Sequence, residues 1–203
     1  MFKEIPVSKA ALALRSKVQK VGINDAPYKT SYKLPNGKTI SCPYYSVWSG
    51  ILYRCFNSKL HLKRPTYKEC TVEESWLSFT NFKTWMETQD WENKTIDKDI
   101  LKWGNKHYGP DTCVFISPQL NNLLTLRRNH TGKYPLGVSK MMVKGHEYYI
   151  ASCSFYGKQK RLGYFKTIEE AQQTYIDAKL KYIKELAKTE SNPKVKQALL
   201  NMY

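Results

Sequence analysis

The sequence has no apolar run approaching the roughly eighteen residues that span a bilayer as a helix, so no membrane-spanning segment and no membrane partner are expected. It has no CxxC pair, and its five cysteines (Cys42, Cys55, Cys70, Cys113, Cys153) are an odd number, which argues against a disulfide framework and for a reducing, intracellular setting. Four of them fall in the first 113 residues, and four thiolates would satisfy tetrahedral zinc. Their spacings fit no zinc knuckle, however, and lone cysteines are commonly small core residues, so a core role is expected. The opening MFKEIPVSKAALALRSK carries Glu4 and too short an apolar stretch for a signal peptide. Acidic residues are scarce as well: 17 Asp+Glu stand against 33 Lys+Arg in 203 residues, a formal net charge of +16.

That excess is what the sequence does have, and it attracts polyanions. Residues 1–130 carry 20 basic and 11 acidic side chains, net +9, which leaves +7 for residues 131–203. Two basic halves suit two contacts on one long anion, although a protein with many surface lysines would show the same balance. The 41% of hydrophobic residues, with 13% aromatic, can fill a core.

Along the chain, residues 1–20 suggest a short amphipathic helix N-capped by Ser8, with Ala11, Leu12 and Leu14 on its apolar side. Pro35-Asn36-Gly37 between Tyr32 and Ile40 reads as a hairpin turn within a loop-rich lead. Val47, Trp48, Ile51, Leu52 and Cys55 recur at helical spacing, with Arg54 at the end of that helix. NSKLHLKRPTYKEC reads as a solvated or phosphate-contacting loop, with Lys63 and Arg64 at its centre. A second helix is expected from about Val72, with Trp76, Phe79, Phe82, Trp85 and Met86 as a core stripe.

The stretch TIDKDILKWGNKHYGPDTCVFISPQLNNLL, residues 95–124, holds a β-compatible run with Asp97, Lys98 and Asp99, a Gly/Asn/Pro-rich loop, a second apolar run and a helix beginning near Pro118. On a strand Asp97 and Asp99 share one face, and such a carboxylate pair can hold Mg²⁺. Arg127, Arg128 and Lys133 make a basic linker, with a domain boundary near Gly132. Beyond it, Leu136 to Val138, Tyr148 to Ser154 and Lys160 to Phe165 read as strands, with a hairpin turn at Tyr156 to Gln159. Thr167 and Glu170 form a capping box ahead of a helix with Ile168, Ala171, Tyr175, Ala178, Tyr182 and Leu186 on one face. A short helix can follow Pro193. The fold class expected is α+β.

Two regions resemble known families. Residues 134–187, with YPLGV, EYYIA, GKQKRLGYF and TIEEAQQTYIDA, resemble the DNA-binding domain of the plant Apetala/ethylene-response-factor family, which also occurs in phage endonucleases. Residues 21–124, with VGINDAPY, CPYYSVW, RCFNSK, PTYKECTV, SWLSFTNFKTWMETQDW, TIDKDIL and GNKHYGPDTCVFI, resemble phage HNH-type homing-endonuclease-like proteins. The resemblance implies a lead over 1–40, an HNH-like ββα domain with helices over 41–131, an Apetala-like domain of three antiparallel strands on one helix over 132–190, and a helical tail over 191–203. It also implies a phage protein acting in the cytoplasm of an infected bacterium.

An HNH centre uses a first-strand histidine to activate water and a divalent metal to stabilise the phosphorane charge. At the matching place this chain has Asp97-Lys98-Asp99 and no histidine, so the candidate catalytic set is Asp97, Lys98, Asp99 and Asn121, with Mg²⁺ on Asp97 and Asp99, and His107, which the family pattern does not require, as the candidate to take the missing base's role. For the Apetala-like sheet, the implied contacts are Ser139 and Lys140, then Tyr149, Ala151 and Ser154, then Lys158, Lys160 and Arg161. Arginines of the plant domains are missing there, which removes bidentate guanine readout but leaves phosphate contacts. Arg54, Lys63, Arg64, Arg127, Arg128 and Lys133 complete the candidate nucleic-acid surface. Three functions stay open: a metal-dependent DNA endonuclease or nickase; a retired nuclease fold that binds DNA, structured RNA or a ribonucleoprotein such as the ribosome; and a basic interaction protein. The oligomeric state is not readable from the sequence.

Overall fold

A computed structural model describes residues 2–125, 133–155 and 157–202. The chain forms a mixture of helices and small sheets, as an α+β protein should, and divides into two compact units, Met1–Phe115 and Ile116–Tyr203. The division falls at Phe115, upstream of the compositional change near Gly132. Composition marks where the chain turns polar and basic, whereas the units are set by which apolar side chains pack together.

In the first unit, α1 (Lys9–Ala13) is N-capped by Ser8, whose Oγ accepts from the Ala11 amide. The expected apolar side is not used: α1 buries no residue, and Leu14 is exposed. What ties this end down is Arg15, whose guanidinium donates to the carbonyls of Asn24, Ala26 and Tyr28 at 2.7–2.9 Å. A side chain with five donors can satisfy several loop carbonyls at once, which a five-residue helix cannot do by packing. The hairpin is as expected: β1 (Ser31–Lys33) pairs antiparallel with β2 (Thr39–Ser41), and Asn36 Oδ1 accepts from the Lys38 amide.

Helix α2 (Pro43–Phe56) buries Trp48, Ile51, Leu52 and Cys55, the face its periodicity announces. The basic segment after it is not a loop. Asn57 caps a short α3 (Ser58–Lys63), and a 3₁₀ turn follows at Pro65–Tyr67. The aromatic stripe is core, but it does not lie on one helix. Thr71–Val72 is strand β3, Glu74–Leu77 is a 3₁₀ turn carrying Trp76, and Ser78 caps a separate α4 (Phe79–Glu87). Trp48 Nε1 donates to the Trp76 carbonyl at 2.7 Å, so the buried indole N–H is satisfied.

Gly22 explains how VGINDAPY joins this core. A Cβ there would meet Leu52 at 2.2 Å and Trp48 at 2.9 Å, so only glycine lets the strand-like segment lie on α2. Ile23 then bridges to Ser78, and Asp25 accepts from the Thr80 amide and from the Ser78 and Thr80 hydroxyls, filling donors at the start of α4. Burial pushes the Asp25 carboxyl up, but these hydrogen bonds outweigh it and hold the group below its ordinary value.

Strand β4 (Thr95–Asp97) forms a two-stranded sheet with β6 (Val114–Ile116). Between them, β5 (His107–Tyr108) pairs in parallel with β3, Thr71 opposite His107. In the second unit, α5 (Pro118–Thr125) follows. Then β7 (Val138–Val143), β8 (His146–Phe155) and β9 (Lys158–Phe165) form an antiparallel sheet in the order β7-β8-β9. Across it lies α6 (Ile168–Thr189), opened by the Thr167/Glu170 capping box. Its buried residues are Ala171, Tyr175, Lys179, Tyr182, Ile183 and Ala187. Lys179 therefore replaces the expected Ala178: its Nζ lies 3.2 Å from the Tyr175 hydroxyl and over that ring, so the ammonium is partnered where it is buried. Gly137, at φ +80°, meets Tyr175 so closely that a Cβ would stand 2.1 Å from the ring. The expected tail helix forms as α7 (Pro193–Leu200), which packs on α6 and buries Val195 and Leu199. No helix among the described residues is long and apolar enough to cross a membrane.

Candidate functional site

The strand expected to carry Asp97, Lys98 and Asp99 ends at Asp97. Asp97 Oδ1 accepts from the amides of Asp99 at 2.8 Å and Ile100 at 2.7 Å, an Asx turn that reverses the chain as it leaves the sheet. The expected alternation of Asp97 and Asp99 on one strand face is therefore lost. Lys98 and Asp99 instead turn inward as a pair, Nζ to Oδ1 2.9 Å, with side chains only 8% and 9% exposed. The same ammonium donates to the Asn105 carbonyl and stands over the Tyr108 ring. Asn105 closes the loop from the other side, its Nδ2 donating to the carbonyls of Lys98 at 2.8 Å and His107 at 2.6 Å.

This arrangement does not fit a Mg²⁺ ion on Asp97 and Asp99. One oxygen of Asp97 accepts from two backbone amides, and Asp99 already faces a buried ammonium at hydrogen-bonding distance. A divalent cation added there would meet like charge in a poorly solvated place. Among the described residues, no three His, Cys, Asp or Glu side chains are grouped to hold a metal ion. Cys42, Cys55, Cys70 and Cys113 all belong to the hydrophobic core.

His107 lies on β5 and is half-exposed. Its Nδ1 is 3.0 Å from Thr71 Oγ1, and its Nε2 is 3.4 Å from Glu73 Oε2. Neither Thr71 nor Glu73 stands out in the sequence, because a pairing of two-residue strands 36 positions apart leaves no periodicity to read. Asn121 sits on α5 in the second unit, its amide bonded to the Ser117 carbonyl.

Of the basic candidates in the first unit, Arg54 is half-buried in the last turn of α2, and Lys63 and Arg64 are exposed at the end of α3. Arg127 and Arg128 lie outside the described residues. Lys133 is exposed, its ammonium over the Tyr134 ring. In the sheet, directly paired residues share a face, so register sorts the remaining candidates. Lys140 is opposite Tyr149 and Val138 opposite Ala151, on the side where Ala151, Cys153 and Tyr149 pack with Ala171 and Tyr175 of α6. Ala151 is fully buried there and can touch no ligand. Lys140 is paired with Glu147 at 2.5 Å, and the Tyr149 hydroxyl donates to the same carboxylate. That hydrogen bond from Lys140 leads in holding the Glu147 carboxyl below its ordinary value.

The opposite face carries Ser139, Met141 and Val143 from β7, with Ser152 and Ser154 of β8 opposite Arg161 and Gln159. A register shift at Ala151/Ser152 leaves Leu162 without a partner and makes a bulge. The bulge puts Arg161 and Tyr164, three apart, on one face, where the guanidinium hydrogen-bonds the Tyr164 hydroxyl and lies 5.3 Å from the ring centroid. Both are exposed. Lys158 and Lys160, exposed as well, pair with Phe155 and Cys153 and so have the other parity. The sequence-derived set is thus split between two faces, with Ser139, Ser154 and Arg161 on the open one, and Tyr164 joins them unforeseen.

Comparison with known proteins found no match: no family model, no curated protein and no solved structure matches the chain.

Proposed function

We propose that this chain is a nucleic-acid-binding protein whose N-terminal unit is a retired HNH-like ββα nuclease fold and whose C-terminal sheet and helix form an Apetala-like binding module. The observation that carries the reading is the buried Lys98–Asp99 pair. It stands where the ordered motifs of the resemblance call for a histidine base and a metal-binding carboxylate, and it occupies that place with a cation of the protein's own. The charge of +16 and the open sheet face with Arg161 and Tyr164 support retained binding through phosphate and stacking contacts. The partner is DNA or structured RNA, including the RNA of a ribonucleoprotein.

A specific observation favours one rival reading. His107 is half-exposed and contacts both Thr71 and Glu73, as a base oriented by a carboxylate would be. Incubation with phage and host DNA in the presence of Mg²⁺ separates the two. The binding reading expects salt-sensitive complexes and no nicking. Cleavage that disappears in His107→Ala establishes the rival. Binding that is weak and indifferent to salt points instead to a basic protein with no nucleic-acid role.

A further inference from the structure

We infer that the outer face of α3 is a DNA-contacting surface on which Leu62 is an apolar wedge for the minor groove, an assignment that rests on the nucleic-acid reading above. Leu62 is 85% exposed. On the helix Lys59 neighbours both Leu62 and Lys63, three and four residues on. All three are exposed, and Arg64, exposed as well, follows at the helix end. From Ser58 to Lys68 the chain carries Lys59, Lys63, Arg64 and Lys68 and no carboxylate. Among the described residues, Lys83, Lys94, Lys98 and Lys140 each lie against an Asp or Glu, whereas Lys59, Lys63 and Arg64 have no ion-pair partner.

The face is presented by a helix fixed at both ends. Asn57 Oδ1 accepts from the Leu60 amide at 2.9 Å, and its Nδ2 donates to Gln19 Oε1 at 3.3 Å. His61 Nε2 lies 2.9 Å from the Arg54 carbonyl and ties α3 to α2. Just beyond the helix, Lys106 Nζ donates to the Thr66 carbonyl at 3.0 Å. A short helix held in this way loses little freedom on binding. Four cations with no acid among them call for a polyanion, and the leucine narrows the choice. It has no π face on which an unpaired base could stack. It gains from burial, and a DNA duplex offers that where a base step opens toward the minor groove and receives an aliphatic side chain. The neighbouring lysines can meanwhile meet the phosphates that flank the groove. Leu14 is equally exposed, but the cation beside it, Arg15, is engaged by loop carbonyls.

The test uses the full chain and a DNA duplex of about 20–30 base pairs with a central TA step and a dye at each end. Titration reads affinity and energy transfer between the dyes reads bending, with an RNA duplex and an unpaired DNA strand of the same length alongside. Wild type should bind the DNA duplex and raise the transfer. Leu62→Ala, at a position too exposed to support the fold, should abolish that rise and weaken binding about 3- to 30-fold, the gain from burial less the cost of unstacking. Leu62→Met should keep the bend, and Leu14→Ala should behave as wild type. Lys59→Ala plus Lys63→Ala should weaken binding and make its salt slope shallower by up to about two. A wild type that binds the duplex without bending it, or a Leu62→Ala variant that keeps both bend and affinity, overturns the inference alone. An equal loss in Leu62→Ala on the RNA duplex or the unpaired strand also overturns it. A wild type that binds none of the three overturns the nucleic-acid reading itself.

Discussion

Lys98 and Asp99 form a buried ion pair, Nζ to Oδ1 2.9 Å. Removing Lys98 leaves a carboxylate in a poorly solvated place, so Lys98→Ala should cost about 3–5 kcal/mol in urea unfolding. The double replacement Lys98→Met plus Asp99→Leu should cost clearly less than Lys98→Ala, because no stranded charge remains. Asp25 gives a pH signature. Its hydrogen bonds hold the folded carboxyl below the ordinary value, so the stability it contributes is present above about pH 4 and is lost as the pH falls through the folded value. The melting temperatures of wild type and Asp25→Asn should therefore differ most near neutral pH and converge in acid.

At the scale of elements, Gly22 decides whether the N-terminal segment can lie on α2. Gly22→Ala should destabilise by about 1–3 kcal/mol, since Leu52 and Trp48 have to move; a melting temperature equal to wild type would contradict that packing. The long elements were legible in the sequence. α2, α6, the β1–β2 hairpin and the second and third strands of the large sheet follow from apolar spacing, from Asn36-Gly37 and from the Thr167/Glu170 capping box, whereas the first strand, expected over Leu136 to Val138, runs over Val138–Val143. What was not legible depends on contacts between distant residues. The break between Trp76 and Phe79 falls where Ile23 bridges to Ser78, donating to the Leu77 carbonyl and accepting from the Phe79 amide, and the end of β4 is set by the Asp97 side chain rather than by any propensity. The candidate site failed for the same reason: period-two alternation put Asp97 and Asp99 on one face, and a local Asx turn overrode it. Arg161 was readable as a cation, but its partnership with Tyr164 depends on a bulge that spacing does not reveal.

For the whole molecule, the excess of positive charge predicts that affinity for nucleic acid falls steeply with salt, linearly in the logarithms. Replacing Lys158, Lys160 and Arg161 together by Ala should weaken binding and make the slope shallower by up to about three for a duplex; an unchanged slope would mean that the sheet is not a phosphate-contacting surface. The five cysteines have a different consequence. Burial raises the thiols of Cys55 and Cys113 to about 12 and those of Cys70 and Cys153 in the same direction. Thiolate, the reactive form, is therefore scarce in the native state, and alkylation has to wait for the surrounding structure to open. Cys55, Cys70 and Cys113 lie in one unit and Cys153 in the other. The rates at which a mass-tagged reagent labels these positions would thus clock the transient opening of each half separately, with no residue of the protein replaced.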